Sequence, residues 1–149
     1  MAGVLNHPPA KIIRQLLVNL GIGTEPSSSG AWPIYYASMP SSPDSLIAVF
    51  DDPVNEFMDG WHQYDGERFE APGIQIAIRG ARDQGAWDKW EALRVAIDGS
   101  ASYNRTVSID SSRYVVQSIT RRGGPRPTKA PDSDRRVIFV NAAAEINKV

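Results

Sequence analysis

Ile74, Ile76 and Ile78 alternate with Gln75, Ala77 and Arg79 in the segment GIQIAIRGA, residues 73–81. Period-two alternation sends successive side chains to opposite faces, so the segment predicts a strand with one buried, branched-aliphatic face. Such a face needs a cover, and one is predicted immediately downstream. Asp83 is read as the N-cap of a helix in which Ala86, Trp90, Leu93 and Ile97 form an apolar stripe, with Trp87 beside it and Gly99 as the stop. A strand feeding an amphipathic helix implies a layered fold of sheet and helix.

The rest of the chain supplies the other members of those layers. After Asn6, His7, Pro8 and Pro9, the residues Ile12, Ile13, Leu16, Leu17 and Leu20 recur on one helical face, until Gly21 and Gly23 end the pattern. Residues 24–31, with Pro26, three serines and Gly30, read as a loop. Residues 32–39, starting just after Pro33, and residues 45–51 read as strands, and their short proline-serine connection predicts a hairpin. Further strands are predicted over residues 105–110, 114–121 and 136–144, with Asp110, Ser111 and Ser112 turning between the first two. No internal repeat is present. The expectation is one α+β domain over residues 1–149, a mostly antiparallel β-sheet with two main helices packed on it.

Two segments stand apart from these elements. Residues 51–72 form a long loop carrying Phe57, Met58, Trp61, Tyr64 and Phe69 among acids and glycines, and helical spacing of Val54, Phe57, Met58 and Trp61 is compatible with a short helix. Residues 122–135 combine glycines, prolines and basic side chains that cannot build a core, so they are expected to project as a mobile basic arm.

Composition removes several functions. With 16 basic and 17 acidic residues the net charge is -1, too small to draw the molecule onto nucleic acid or an anionic membrane. The absence of cysteine removes disulfides, thiol nucleophiles and thiolate ligands together, and fits a reducing cytoplasm. No apolar run approaches the roughly 20 residues that span a bilayer, so a soluble protein without membrane contact is expected. His7 and His62 are the only histidines and have no metal-ligand spacing around them, so structural or surface roles are read for both. Gly80 and Gly85 flank Arg82 and Asp83 without a phosphate-binding motif, and are read as turn residues. No catalytic residue, metal or cofactor is expected, and the chain is read as a non-enzyme.

What remains is surface for macromolecular contact. The arm and its flanks offer Arg121, Arg122, Arg126, Lys129, Arg135 and Arg136, able to pair with acids of another protein or with phosphates. Asp132 and Asp134 interrupt the cluster, which favours subunit contact over DNA contact. Trp61 is the one tryptophan read as an interface anchor, Trp32, Trp87 and Trp90 falling on periodic elements. The acids of the long loop, Asp59, Asp65, Glu67 and Glu70 among them, are read as an electrostatic surface that repels or guides a partner.

The order and spacing of three stretches, AKIIRQLLVNLGIG, DSLIAVFDD and EAPGIQIAIRGARDQGAWDKWEALRVAIDG, resemble the tail-terminator, or minor capsid, proteins of long-tailed bacteriophages. Asp132, Ser133, Asp134, Arg135 and Arg136, running on to Asn141, resemble that family's final strand. The resemblance implies a structural virion protein made in the host cytoplasm. It implies a ring, usually of six copies, that caps the tail tube, ends its polymerisation and joins it to the head connector at the neck. Its partners would be further copies of itself, the tail tube protein and the connector or neck protein, with DNA passing transiently through the lumen. Asp59, Asp65, Glu67 and Glu70 would line that lumen, keeping the contact transient by repulsion of phosphate. The alternatives are a head-completion or other neck protein, a DNA-binding module, and a small hydrolase built on loop carboxylates.

Overall fold

A computed structural model describes residues 5–52, 72–129 and 135–149. Two helices and seven strands occur among them, in the order α1 (Pro9–Asn19), β1 (Ile34–Tyr36), β2 (Leu46–Asp51), β3 (Gly73–Gly80), α2 (Asp83–Asp98), β4 (Arg105–Ile109), β5 (Ser112–Arg121), β6 (Arg126–Lys129) and β7 (Arg136–Lys148). A single 3₁₀ turn, Ser100–Ser102, follows α2. The strands form one sheet in the order β1-β2-β3-β7-β5-β4, with β6 also on β7. All pairings are antiparallel except β1 with β2. The fold is the expected α+β domain.

Both helices cover the same face of the curled sheet. Ala10, Ile12, Ile13, Leu16 and Leu17 of α1 and Ala86, Trp90, Leu93, Ala96 and Ile97 of α2 join one core with Ile47, Val49, Ile74, Ile76, Ile78, Val140 and Tyr114 of the strands. The α1 helix starts on Pro9, where a missing N–H costs nothing. It ends in a Schellman motif: Gly21 adopts φ +78° and donates to Val18 O at 3.0 Å, and Ile22 donates to Leu17 O at 3.0 Å. Its first turn is fastened to the sheet from two sides. The Ala10 amide donates to Asp51 Oδ1 at the end of β2, at 2.9 Å, and His7 contacts Asp110 in the β4–β5 turn, at 3.2 Å. Arg82 occupies the N-cap position of α2 without a side-chain cap bond, Asp83 is its first residue and not its N-cap, and Gly99 ends it.

Five further expectations are corrected. The predicted hairpin of the first two strands is a parallel pair, with Ile34 opposite Ile47 and Tyr36 opposite Val49. The strand predicted over residues 32–39 shortens to three residues because Ala37 turns the chain into the left-handed region, at φ +61°. The following connection is then carried back along the sheet end, where Arg79 donates to Pro43 O at 2.5 Å and to Asp44 O at 3.1 Å. The β3 strand is buried on both faces, not one: Ile74, Ile76 and Ile78 meet the helices, while Ala77 packs with Leu46 and Ala48 on the other side, against Tyr35, Met39, Phe50, Val137 and Phe139. The last strand runs on to Lys148. Finally, part of the arm predicted over residues 122–135 is sheet, because Arg126–Lys129 pair with β7 as β6.

Candidate subunit-contact surface

The long strand β7 organises the surface that the basic residues share. One of its edges is occupied by β3, from Arg136 to Ala143, so β5 and β6 must lie end to end along the other. The register moves from Arg121 opposite Ala142 to Arg126 opposite Phe139, leaving residues 122–125 to face Val140 and Asn141 alone. This excess length kinks the hairpin. Gly123 absorbs it at φ +104°, a backbone conformation that side-chain-bearing residues rarely adopt, and the Arg122 amide still reaches Asn141 O at 2.7 Å. Beyond the kink the hairpin leaves the helix layer, and Arg126, Pro127 and Thr128 are all exposed although they alternate between faces.

The predicted cations divide by partner. Arg121 turns back onto α2, donating from Nε and Nη2 to the two carboxylate oxygens of Asp98 at 2.9 and 2.8 Å, with its guanidinium 5.5 Å from the Trp90 ring centre. The bond to Asp98 holds its pKa above the ordinary arginine value. Arg136 pairs with Asp83 at 2.7 Å. Arg135 donates from Nε to Asp44 Oδ1 at 2.9 Å and from Nη2 to the same oxygen and to Ser41 O, the latter at 2.7 Å. These three stitch the hairpin to the rest of the domain. Arg122 and Arg126 are exposed beside the kink and on β6, and Lys129 stands opposite Arg136 in the ladder. Arg126 shares a cross-strand row with Phe139, Ala77 and Ala48. Trp61, Asp59, Asp65, Glu67 and Glu70 lie outside the described residues.

On the opposite flank of the sheet is a cleft that the sequence reading missed. Its volume is about 480 Å³, and Trp32, Tyr35, Pro26, Pro33, Pro43 and Ser45 contribute to its walls. The loop that forms one wall is closed on itself: Thr24 N donates to Trp32 O at 3.1 Å and Ile34 N to Thr24 O at 2.9 Å. Trp32 holds φ +57°, a strained value for an aromatic residue, and its ring is backed by Lys89 Nζ at 5.1 Å from the centre. Lys89 also donates to Ile22 O at 2.8 Å, and its burial lowers its pKa. The opposite wall is fixed by Arg79, only 6% exposed, whose bonds to the carbonyls of Pro43 and Asp44 satisfy an otherwise costly buried charge. Burial first, and the neighbouring Arg135 second, depress its pKa. Trp32, expected as a structural residue of a periodic element, packs against the core and also lines this cleft. Its signal was the run of proline and serine on either side, which marks a loop surface.

His7 does structural work among the described residues: Nδ1 lies 2.6 Å from the fully buried Tyr114 hydroxyl and its ring stands edge-on to the tyrosine. No group of three or more metal-ligating side chains occurs among the described residues, and no helix there is long and apolar enough to cross a membrane.

A family model described as bacteriophage tail terminator protein matches residues 16–148, which take in the last turn of α1, all of α2 and the whole sheet. No curated protein matches the chain.

Proposed function

We propose, from the premise that this chain belongs to the bacteriophage tail terminator family and is a structural component of the virion tail, that it closes into a ring on the end of the tail tube. The ring stops tube growth and joins the tail to the head connector at the neck. The observation that supports this most is the β6 edge strand of the sheet, whose described side chains are exposed on both faces. An exposed edge strand on one flank and a differently shaped surface on the other suit heterologous contacts, in which unlike patches of identical subunits meet and a closed rotation gives a ring.

In this reading Arg122, Arg126 and Lys129 face neighbouring subunits or the tube and connector proteins, while Arg121, Arg135 and Arg136 hold the hairpin at its angle. The acids Asp59, Asp65, Glu67 and Glu70 are assigned to the lumen, where repulsion of phosphate keeps passing DNA from adhering. Replacing these four by the corresponding amides should alter the rate of DNA ejection and leave the ring intact.

The experiment that tests the reading is to mix purified protein with isolated tail tubes and examine them by negative-stain microscopy. Tubes of fixed length carrying a ring at one end support it. Bare tubes, with rings found on DNA-filled heads instead, would replace it with a head-completion role.

A further inference from the structure

We propose that the cleft of one copy receives residues 125–128 of a second copy, an inference that rests on the ring reading above. Pro125, Arg126, Pro127 and Thr128 would lie between the Trp32 and Tyr35 walls, with Arg126 directed to Asp44.

Position comes first. Thr128, Val137, Arg79 and Leu46 form one cross-strand row, so β6 and the cleft residue Ser45, next to Leu46, occupy the same end of the sheet on opposite flanks. Each step between strands is about 4.8 Å, which puts roughly 14 Å between Thr128 and Leu46 of one chain. The hairpin therefore cannot fill its own cleft, whereas a laterally placed copy presents its hairpin to that side. This is the arrangement a closed ring of identical contacts requires.

The chemistry of the two surfaces is complementary. Two prolines, Pro125 and Pro127, bracket Arg126 in an extended segment that loses little conformational entropy on docking, and proline rings pack well on aromatic walls such as Trp32 and Tyr35. Strand addition is the less suitable use of β6, because Pro127 deprives its centre of a backbone donor. Charge points the same way. Arg135 bonds Oδ1 of Asp44, and the carboxylate side chain remains 59% exposed beside the cleft residues Pro43 and Ser45. Arg126 is likewise exposed and has no partner among the described residues. The backbone bonds of Thr24 to Trp32 and of Ile34 to Thr24 hold the Trp32 wall in place before any partner arrives.

The chain has no cysteine, so introduced thiols report this contact without background. The test variant carries Ser45→Cys and Thr128→Cys, and a control carries Ser108→Cys and Thr128→Cys, Ser108 lying on β4 away from the cleft. Because a disulfide needs Cα atoms within about 7 Å, a bond between positions 45 and 128 joins two chains. Oxidation is carried out both on tail tubes and on concentrated protein alone, and read as covalent ladders on non-reducing gels. The expected result is a ladder from the test pair and none from the control, with Arg126→Glu in the test background lowering the yield about tenfold. Capped tubes without the ladder would overturn this inference and leave the ring reading standing. A ladder without capped tubes would do the reverse, and neither ladder nor caps would remove both.

Discussion

The hydroxyl of Tyr114 on β5 lies 2.6 Å from Nδ1 of His7, across 107 residues of sequence, and the same oxygen receives the Asn6 amide at 3.2 Å. Tyr114 is fully buried, so these bonds decide whether a polar atom at the floor of the core is satisfied. Tyr114→Phe keeps the ring and removes the oxygen, leaving Asn6 N and the histidine nitrogen to find other partners. The expected loss is about 1–3 kcal/mol of stability. Urea denaturation checks it, and a midpoint unchanged from wild type would show that water replaces the hydroxyl at no cost.

Glycines 23 and 85 should respond to alanine with opposite signs. A Cβ on Gly23 would stand 2.2 Å from Trp32 O and 2.7 Å from Ile34 Cγ1, so the loop that walls the cleft would have to move. Gly23→Ala should cost at least about 2 kcal/mol, in the range of other overpacked sites. A Cβ on Gly85 meets nothing within 4 Å, and the residue sits inside α2, where alanine restricts the unfolded chain more than glycine does. Gly85→Ala should stabilise by roughly 0.5–1 kcal/mol. Thermal melts of the two variants side by side read both signs, and a shift in the same direction for both would contradict the packing described.

Lys89 gives the fold a dependence on alkaline pH. Its pKa is lowered by burial, so the folded protein releases this proton before the unfolded chain does. Between the lowered value and the ordinary lysine value the unfolded chain binds more protons, and stability contributed by this site rises with pH across that window. Lys89→Met keeps much of the stem and abolishes the titration. Wild type should therefore gain stability relative to the variant as pH rises from neutral toward about 10. Chemical denaturation at a series of pH values measures the difference, and a flat difference would mean that the ammonium is hydrated in the folded state.

These elements also show where the sequence was legible. The alternation of Ile74, Ile76 and Ile78 and the stripe through Trp90, Leu93 and Ile97 are local patterns, each set by the period of its own backbone, and the structure places both in one core. The parallel pairing of β1 with β2 depends instead on the backbone turn at Ala37 and on the Arg79 side chain, 36 residues from the carbonyl of Pro43 that it holds. No periodicity records a contact of that kind. The same holds for the cleft, whose walls come from residues 26–45 folded against each other, and for β6, where Pro127 and the neighbouring glycines argue for a loop until β7 is there to pair with. Of the basic residues, composition identified the cluster but not which members are spent inside the chain.

Arg121 is the test of that last distinction. Its fork on Asp98 is bidentate and its guanidinium stacks over Trp90, yet the two side chains remain 29% and 32% exposed, so solvent screens much of the attraction. A double-mutant cycle of Arg121→Met, Asp98→Asn and the combination should give a coupling of about 0.5–1 kcal/mol, the range of a well-formed surface pair. Screening predicts its salt dependence as well: with a Debye length near 3 Å at 1 M ionic strength, most of the coupling should vanish. If Arg121 were instead a contact to another subunit, the single variants would leave the isolated chain's stability unchanged and lower only assembly on tail tubes. Stability loss in the free protein, with the coupling measured there, would mark Arg121 as a brace that fixes β5 against α2.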